Sequence, residues 1–141
     1  MADDASDFAR SMSIATSGLR AQAGRMRVIS ENIANADSTA PTAGGNPYRR
    51  KVPTFTSALD RTLDAKVVTL GKVRTDQSAF RVKYEPSNPA SDVAGNVKYP
   101  NVNPLVEMTD MREAQRSYEA NLNIISATRR MIQRTLVILK S

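Results

Sequence analysis

From Phe8 the positions Met12, Ala15, Leu19, Gln22, Met26, Ile29 and Ile33 follow at alternating spacings of four and three. That is an unbroken a/d register with one polar member, and it predicts an amphipathic helix. Asp4 and Ser6 are cap candidates at its start, and Asp7 complements the helix dipole. Thr16, Ser17, Gly18 and Gly24 lower its intrinsic propensity, so this helix needs a partner. The far end of the chain repeats the register with Met108, Met111, Gln115, Tyr118, Leu122, Ile125, Arg129, Ile132, Leu136 and Leu139. Asn103 before Pro104 reads as an N-cap followed by proline at the first helical position. Acids lead this segment (Glu107, Asp110, Glu113, Glu119) and bases trail it (Arg129, Arg130, Arg134, Lys140), again matching the dipole. Ile124, Met131, Val137 and Ile138 lie off the a/d line, an apolar surface too broad for one contact stripe. Such a helix expects more neighbours than its own chain supplies.

All seven prolines fall between Pro41 and Pro104, leaving both ends free for helices and the middle irregular or strand-rich. Within it, Lys66–Leu70 and Phe80–Tyr84 read as strands, the second alternating apolar Phe80, Val82 and Tyr84 against Arg81 and Lys83. Gly71 and Asp76-Gln77-Ser78 supply turn chemistry, so the two strands are expected to form a hairpin with the apolar face on a core. The predicted fold is α+β. Long N- and C-terminal helices (1–36 and 105–141) pair as a coiled coil around a small β-rich, irregular middle module (37–104).

Composition narrows the chemistry. The 141 residues hold one ordinary domain's worth of chain, with no cysteine and no histidine. Disulfides, thiolate nucleophiles, imidazole bases and the usual zinc sites are therefore excluded. Asp60 and Asp64 would share a face only if Ser57–Lys66 were helical, and a solvated face is the better reading. Gly44-Gly45 lacks the Lys-Ser or Lys-Thr of a phosphate loop. No catalytic constellation, cofactor, metal or small-molecule substrate is expected. The chain carries +6, and residues 37–104 hold ten bases against six acids. Tyr48-Arg49-Arg50-Lys51 sets three cations beside an aromatic, which keeps a basic nucleic-acid-binding coiled-coil protein as the rival reading. No stretch approaches the roughly 18 apolar residues of a membrane span, and the start, MADDASDFAR, is acidic where a secretory signal is basic.

Four stretches, in order, resemble one family. Ser30-Glu31-Asn32-Ile33-Ala34-Asn35-Ala36 is similar to the asparagine-rich signature closing the N-terminal helix of bacterial flagellar rod and hook proteins. Gly45-Asn46-Pro47-Tyr48-Arg49-Arg50-Lys51 is similar to the segment that follows it in proximal rod proteins. The run Tyr84-Glu85-Pro86-Ser87-Asn88-Pro89, then Asp92, Gly95, Val97 and Tyr99-Pro100-Asn101-Val102-Asn103, matches the same family, and so does the run Glu107-Met108, Asp110-Met111, Ala114 and Arg116-Ser117-Tyr118-Glu119-Ala120-Asn121. The resemblance covers nearly the whole chain.

It implies a structural subunit of the proximal rod, the hollow driveshaft from motor to hook, assembled helically and without enzymatic activity. It further implies export through the flagellar type III apparatus without a cleaved signal peptide, and residence in the basal body across the periplasm. Expected neighbours are other copies, other proximal and distal rod proteins, the basal adaptor and the membrane-ring protein, with no nucleic acid. The expected assembly seams are Phe8, Met12, Leu19, Met26, Ile29 and Ile33 on the first helix. On the second they are Met108, Met111, Tyr118, Leu122, Ile125, Ile132 and Leu136. Family-motif residues are Asn32, Asn35, Tyr48, Arg49, Arg50, Lys51, Pro100, Asn101, Glu119 and Asn121.

Overall fold

The computed structural model describes residues 2–141. Two long helices, α1 (Ala2–Ala34) and α2 (Pro104–Lys140), bracket six short strands. None of the described helices is long and apolar enough to cross a membrane. The chain forms two compact units. One comprises the residues up to Met26 with Thr54–Lys72 and Glu113–Ser141, and the other comprises Arg27–Pro53 with Val73–Arg112.

In the first unit β2 (Phe55–Asp60) and β3 (Ala65–Leu70) form an antiparallel hairpin, Phe55 facing Leu70 and Asp60 facing Ala65. Its turn is built from local chemistry. Asp60 Oδ1 accepts from the Thr62 amide at 2.9 Å, and Asp64 takes the left-handed conformation (φ 46°) that a short polar side chain tolerates. Thr56 and Thr69 join their hydroxyls across the strands at 2.9 Å. The hairpin docks on α1: the Val68 amide donates to Ser17 Oγ at 3.2 Å, and Arg10 Nε donates to the Leu63 carbonyl at 2.8 Å. The glycines that weaken α1 as an isolated helix are its points of close approach. A Cβ at Gly24 would stand 2.7 Å from Leu70 Cδ2, and one at Gly18 would stand 2.9 Å from Asn121 Nδ2 on α2.

This pairing corrects the expected hairpin. Lys66–Leu70 is a strand, but its partner is the preceding Phe55–Asp60 segment, and Phe80–Tyr84 pairs elsewhere. Nor is Ser57–Lys66 helical, so Asp60 and Asp64 sit at two ends of a turn. The four-residue connection closes a strand pair at far lower entropy than the excursion to Phe80 would.

In the second unit β1 (Lys51–Val52) pairs with β4 (Arg74–Thr75), and β5 (Arg81–Tyr84) pairs with β6 (Asn96–Tyr99). The last turns of α1 and the first of α2 complete it. Val97, Val102, Val28 and Ile29 are buried with Ala90 and Tyr99. Asn103 Oδ1 accepts from the Leu105 amide at 3.1 Å with Pro104 opening the helix, as the sequence predicts. The alternating face of β5 departs from expectation. Val82 and Tyr84 are 59% and 72% exposed, and Phe80 lies just before the strand beneath the Arg49 guanidinium, 4.2 Å from its centroid. A two-stranded ribbon buries one face only where something covers it.

Every register position of α1 is buried or half-buried, whereas α2 follows a shifted line. Glu107, Ala114 and Thr128 are buried, and Met111, Tyr118, Asn121, Ile125 and Ile132 are half-buried. Met108, Leu122, Leu136 and Leu139 are exposed.

Candidate functional site: a polar clasp and two apolar helix faces

The asparagine signature and the Tyr-Arg-Arg-Lys run meet in the second unit. Asn32, on the last turn of α1, is fully buried, and both ends of its amide are engaged. Its Nδ2 donates to the Lys51 carbonyl (2.8 Å) and to Glu107 Oε2 on α2 (3.1 Å). Its Oδ1 accepts from the Lys51 amide (2.9 Å) and the Tyr48 hydroxyl (2.8 Å). Only an amide offers two donors and an acceptor in this fork. Glu107, also fully buried, accepts from Arg50 Nε on its other oxygen. The guanidinium reaches Asp76 and Asp110 at 3.7 Å each.

Asn101 ties the same strand from the other side. Its Oδ1 accepts from the Arg50 amide at 2.8 Å, while its Nδ2 donates to the Asp76 carbonyl at 3.0 Å and Ser78 Oγ at 3.0 Å. Lys51 Nζ pairs with Glu31 at 2.8 Å. That hydrogen bond lowers the Glu31 carboxyl below its ordinary value and raises the Lys51 ammonium. Burial pushes the Tyr48 phenol up. For Arg50, burial works against the charge, but the Glu107 hydrogen bond and the surrounding carboxylates outweigh it and raise the guanidinium further. Asp76 is held low by donation from the Ser78 backbone and side chain.

The remaining motif residues lie around this clasp or away from it. Asn35 donates to the Glu31 carbonyl twice, from its backbone amide at 3.1 Å and from Nδ2 at 2.8 Å, and so closes the end of α1. Pro100 is buried, its carbonyl accepting from Arg81 Nε at 3.1 Å. Asn121, in the first unit, donates to the Ser117 carbonyl at 3.0 Å beside Gly18. Glu119 is exposed. Glu107 is the residue that sequence reasoning undervalued: it counts there as a leading acid of the helix dipole. Its position four residues after the Asn103 cap, on the face that includes Ala114, was the available signal.

The cations proposed for nucleic acid are turned to internal use. Arg49 covers Phe80 and donates to the Asp76 and Ser78 carbonyls at 3.3 and 3.2 Å, Arg50 is held by three carboxylates, and Lys51 is held by Glu31. A phosphate-binding face needs those charges outward.

The seam residues divide. Phe8 and Met12 with Ile132, Leu136 and Leu139 line an apolar groove of about 380 Å³ at the first unit's helix ends. Beyond it Val137 and Ile138 on α2 are 68% and 72% exposed, and Ile124 and Met131 are exposed as well. Leu19, Met26 and Ile33 are half-buried, Ile29 is buried, and Met108 and Leu122 are exposed. This is a broad run of large apolar side chains left open to water on one helix.

Residues 12–40 match the family model for the flagella basal body rod protein, and residues 93–137 match that for the flagellar basal body rod FlgEFG protein C-terminal region. The chain is 52% identical over 128 residues to the flagellar basal-body rod protein FlgC of Agrobacterium fabrum, covering 91% of this chain and 92% of that one. It is 37% identical to FlgC of Bacillus subtilis, covering 91% and 95%, and 38% identical to FlgC of Salmonella typhimurium, covering 89% and 92%. Each of these matches spans about nine-tenths or more of both proteins, and the chain belongs to the FlgC family of flagellar basal-body rod proteins.

Proposed function

We propose that this chain is a structural subunit of the proximal rod of the flagellar basal body. It adds helically to build the hollow driveshaft that carries torque from motor to hook, and it performs no catalysis. The observation that carries this reading is the 52% identity to a rod protein over 91% of the chain. The exposed apolar stretch of α2 from Leu122 to Leu139 gives it a physical basis, because each added subunit would remove that surface from water. In this reading the terminal segments 1–36 and 105–141 are the assembly helices, and the segment 37–104 is a middle module outside them. The partners are further copies, other proximal and distal rod proteins, the basal adaptor and the membrane-ring protein. The chain reaches them through the type III export apparatus with no signal peptide removed.

Leu122→Asp and Ile132→Asp test the role of the helix faces. A charge at either position is expected to abolish swimming while the variant chain is still exported. Normal swimming in both variants would overturn the reading.

A further inference from the structure

The two apolar features at the helix ends carry opposite charge. The groove lined by Phe8, Met12, Ile132, Leu136 and Leu139 has Asp4 as its one charged lining residue. The other feature, formed by Val137 and Ile138, lies beside Arg130 and Arg134. At 100° per residue Ile132, Leu136 and Leu139 lie on one side of α2, and Arg130, Arg134, Val137 and Ile138 lie on the opposite side. Neither arginine has an ion-pair partner among the described residues, where the pairs of this unit are Arg10–Asp7 and Arg25–Glu113.

We infer that the Asp4-bearing groove of one copy seats the arginine-flanked Val137–Ile138 face of a second copy. This rests on the rod-subunit reading and adds which surfaces of two like chains meet. The surfaces do not overlap, so a copy that has used its groove still offers its face. The contact is therefore heterologous, and it propagates unless its rotation happens to close a ring. The apolar centres supply the affinity. The charges select orientation, since face against face or groove against groove would oppose like charges, and they make association weaken with salt.

The test is light scattering and sedimentation of the full-length chain over a concentration series at low and high salt. One variant, Asp4→Lys, reverses the groove, and a second, Arg130→Glu with Arg134→Glu, reverses the face. All three positions are exposed, so the fold tolerates the changes. Each variant alone is expected to need about tenfold more protein to associate than the parent chain. An equimolar mixture of the two restores association, because each then meets an oppositely charged partner surface. Unchanged association of either variant, failure of the mixture to recover, or a parent chain monomeric at every concentration would overturn this contact. The rod reading is judged separately by the swimming of Leu122→Asp and Ile132→Asp cells, and the loss of this contact leaves that assay standing.

Discussion

At Asn32 and Glu107 the chain places its most buried polar atoms where an apolar core would be simpler. A buried ion pair gains little over a well-packed apolar pair, but removing one member strands the other charge. Glu107→Leu leaves the Arg50 guanidinium with only Asp76 and Asp110, both at 3.7 Å. The expected loss is about 3–5 kcal/mol in urea unfolding. Adding Arg50→Met to Glu107→Leu should recover most of that loss, and a single variant within about 1 kcal/mol of the parent would refute the clasp. Asn32→Asp, nearly the same size, swaps the donor facing Glu107 and the Lys51 carbonyl for an acceptor, and it should destabilise comparably. Little of this was legible in the sequence. The asparagine signature and the Arg-Arg-Lys run are visible as residue types, but a basic run normally reads as solvated. The inward turn of Arg50 is decided by carboxylates at Asp76, Glu107 and Asp110, distant in sequence.

The helices show where hydrophobic periodicity suffices and where it misleads. On α1 the register from Phe8 to Ile33 is the one the structure buries or half-buries. On α2 the larger apolar residues drew the line through Met108 and Leu122, while the chain packs itself on Ala114, Asn121 and Thr128. Small side chains let a neighbouring backbone come close, as Gly18 does against Asn121, and hydropathy does not record that. Two substitutions separate the lines. Ala114→Leu places a larger side chain at a fully buried site and should cost about 1–3 kcal/mol by thermal or urea unfolding. Leu122→Ala, at a site 47% exposed, should change the stability of the dilute chain by under about 1 kcal/mol while weakening self-association. Equal losses at both sites would mean that Leu122 belongs to the chain's own core. The strand error has the same origin. Val-rich Lys66–Leu70 was evident, but its partner Phe55–Asp60 lacks strict alternation and was hidden until the Asp60–Asp64 turn paired it.

Across the whole molecule the electrostatic load falls unevenly on the two units. The carboxyls held below their ordinary values, Glu31 by Lys51, Asp76 by Ser78 and Glu85 by Asn88 and Tyr99, all lie in the second unit. Among its described residues the first unit has only the exposed Asp7–Arg10 pair and the long Arg25–Glu113 pair. A carboxyl lowered by folding stabilises the native state fully above its unfolded value, here 4.5 for Glu31 and Glu85 and 3.8 for Asp76. That stabilisation fades as pH falls through the unfolded and then the folded value. The raised Lys51 ammonium acts at the other end: its contribution is complete below 10.5 and is lost only as pH rises through its elevated folded value. Acid should therefore loosen the second unit first. In an NMR acid titration, the amide signals of Val97 and Val102 are expected to lose native dispersion at a higher pH than those of Val67 and Ala21. Simultaneous loss, or the reverse order, would mean that these hydrogen-bonded carboxylates do not set the second unit's stability. High salt separates the sources of the effect, since it screens the exposed Lys51–Glu31 pair far more than the donation of the Ser78 amide to Asp76.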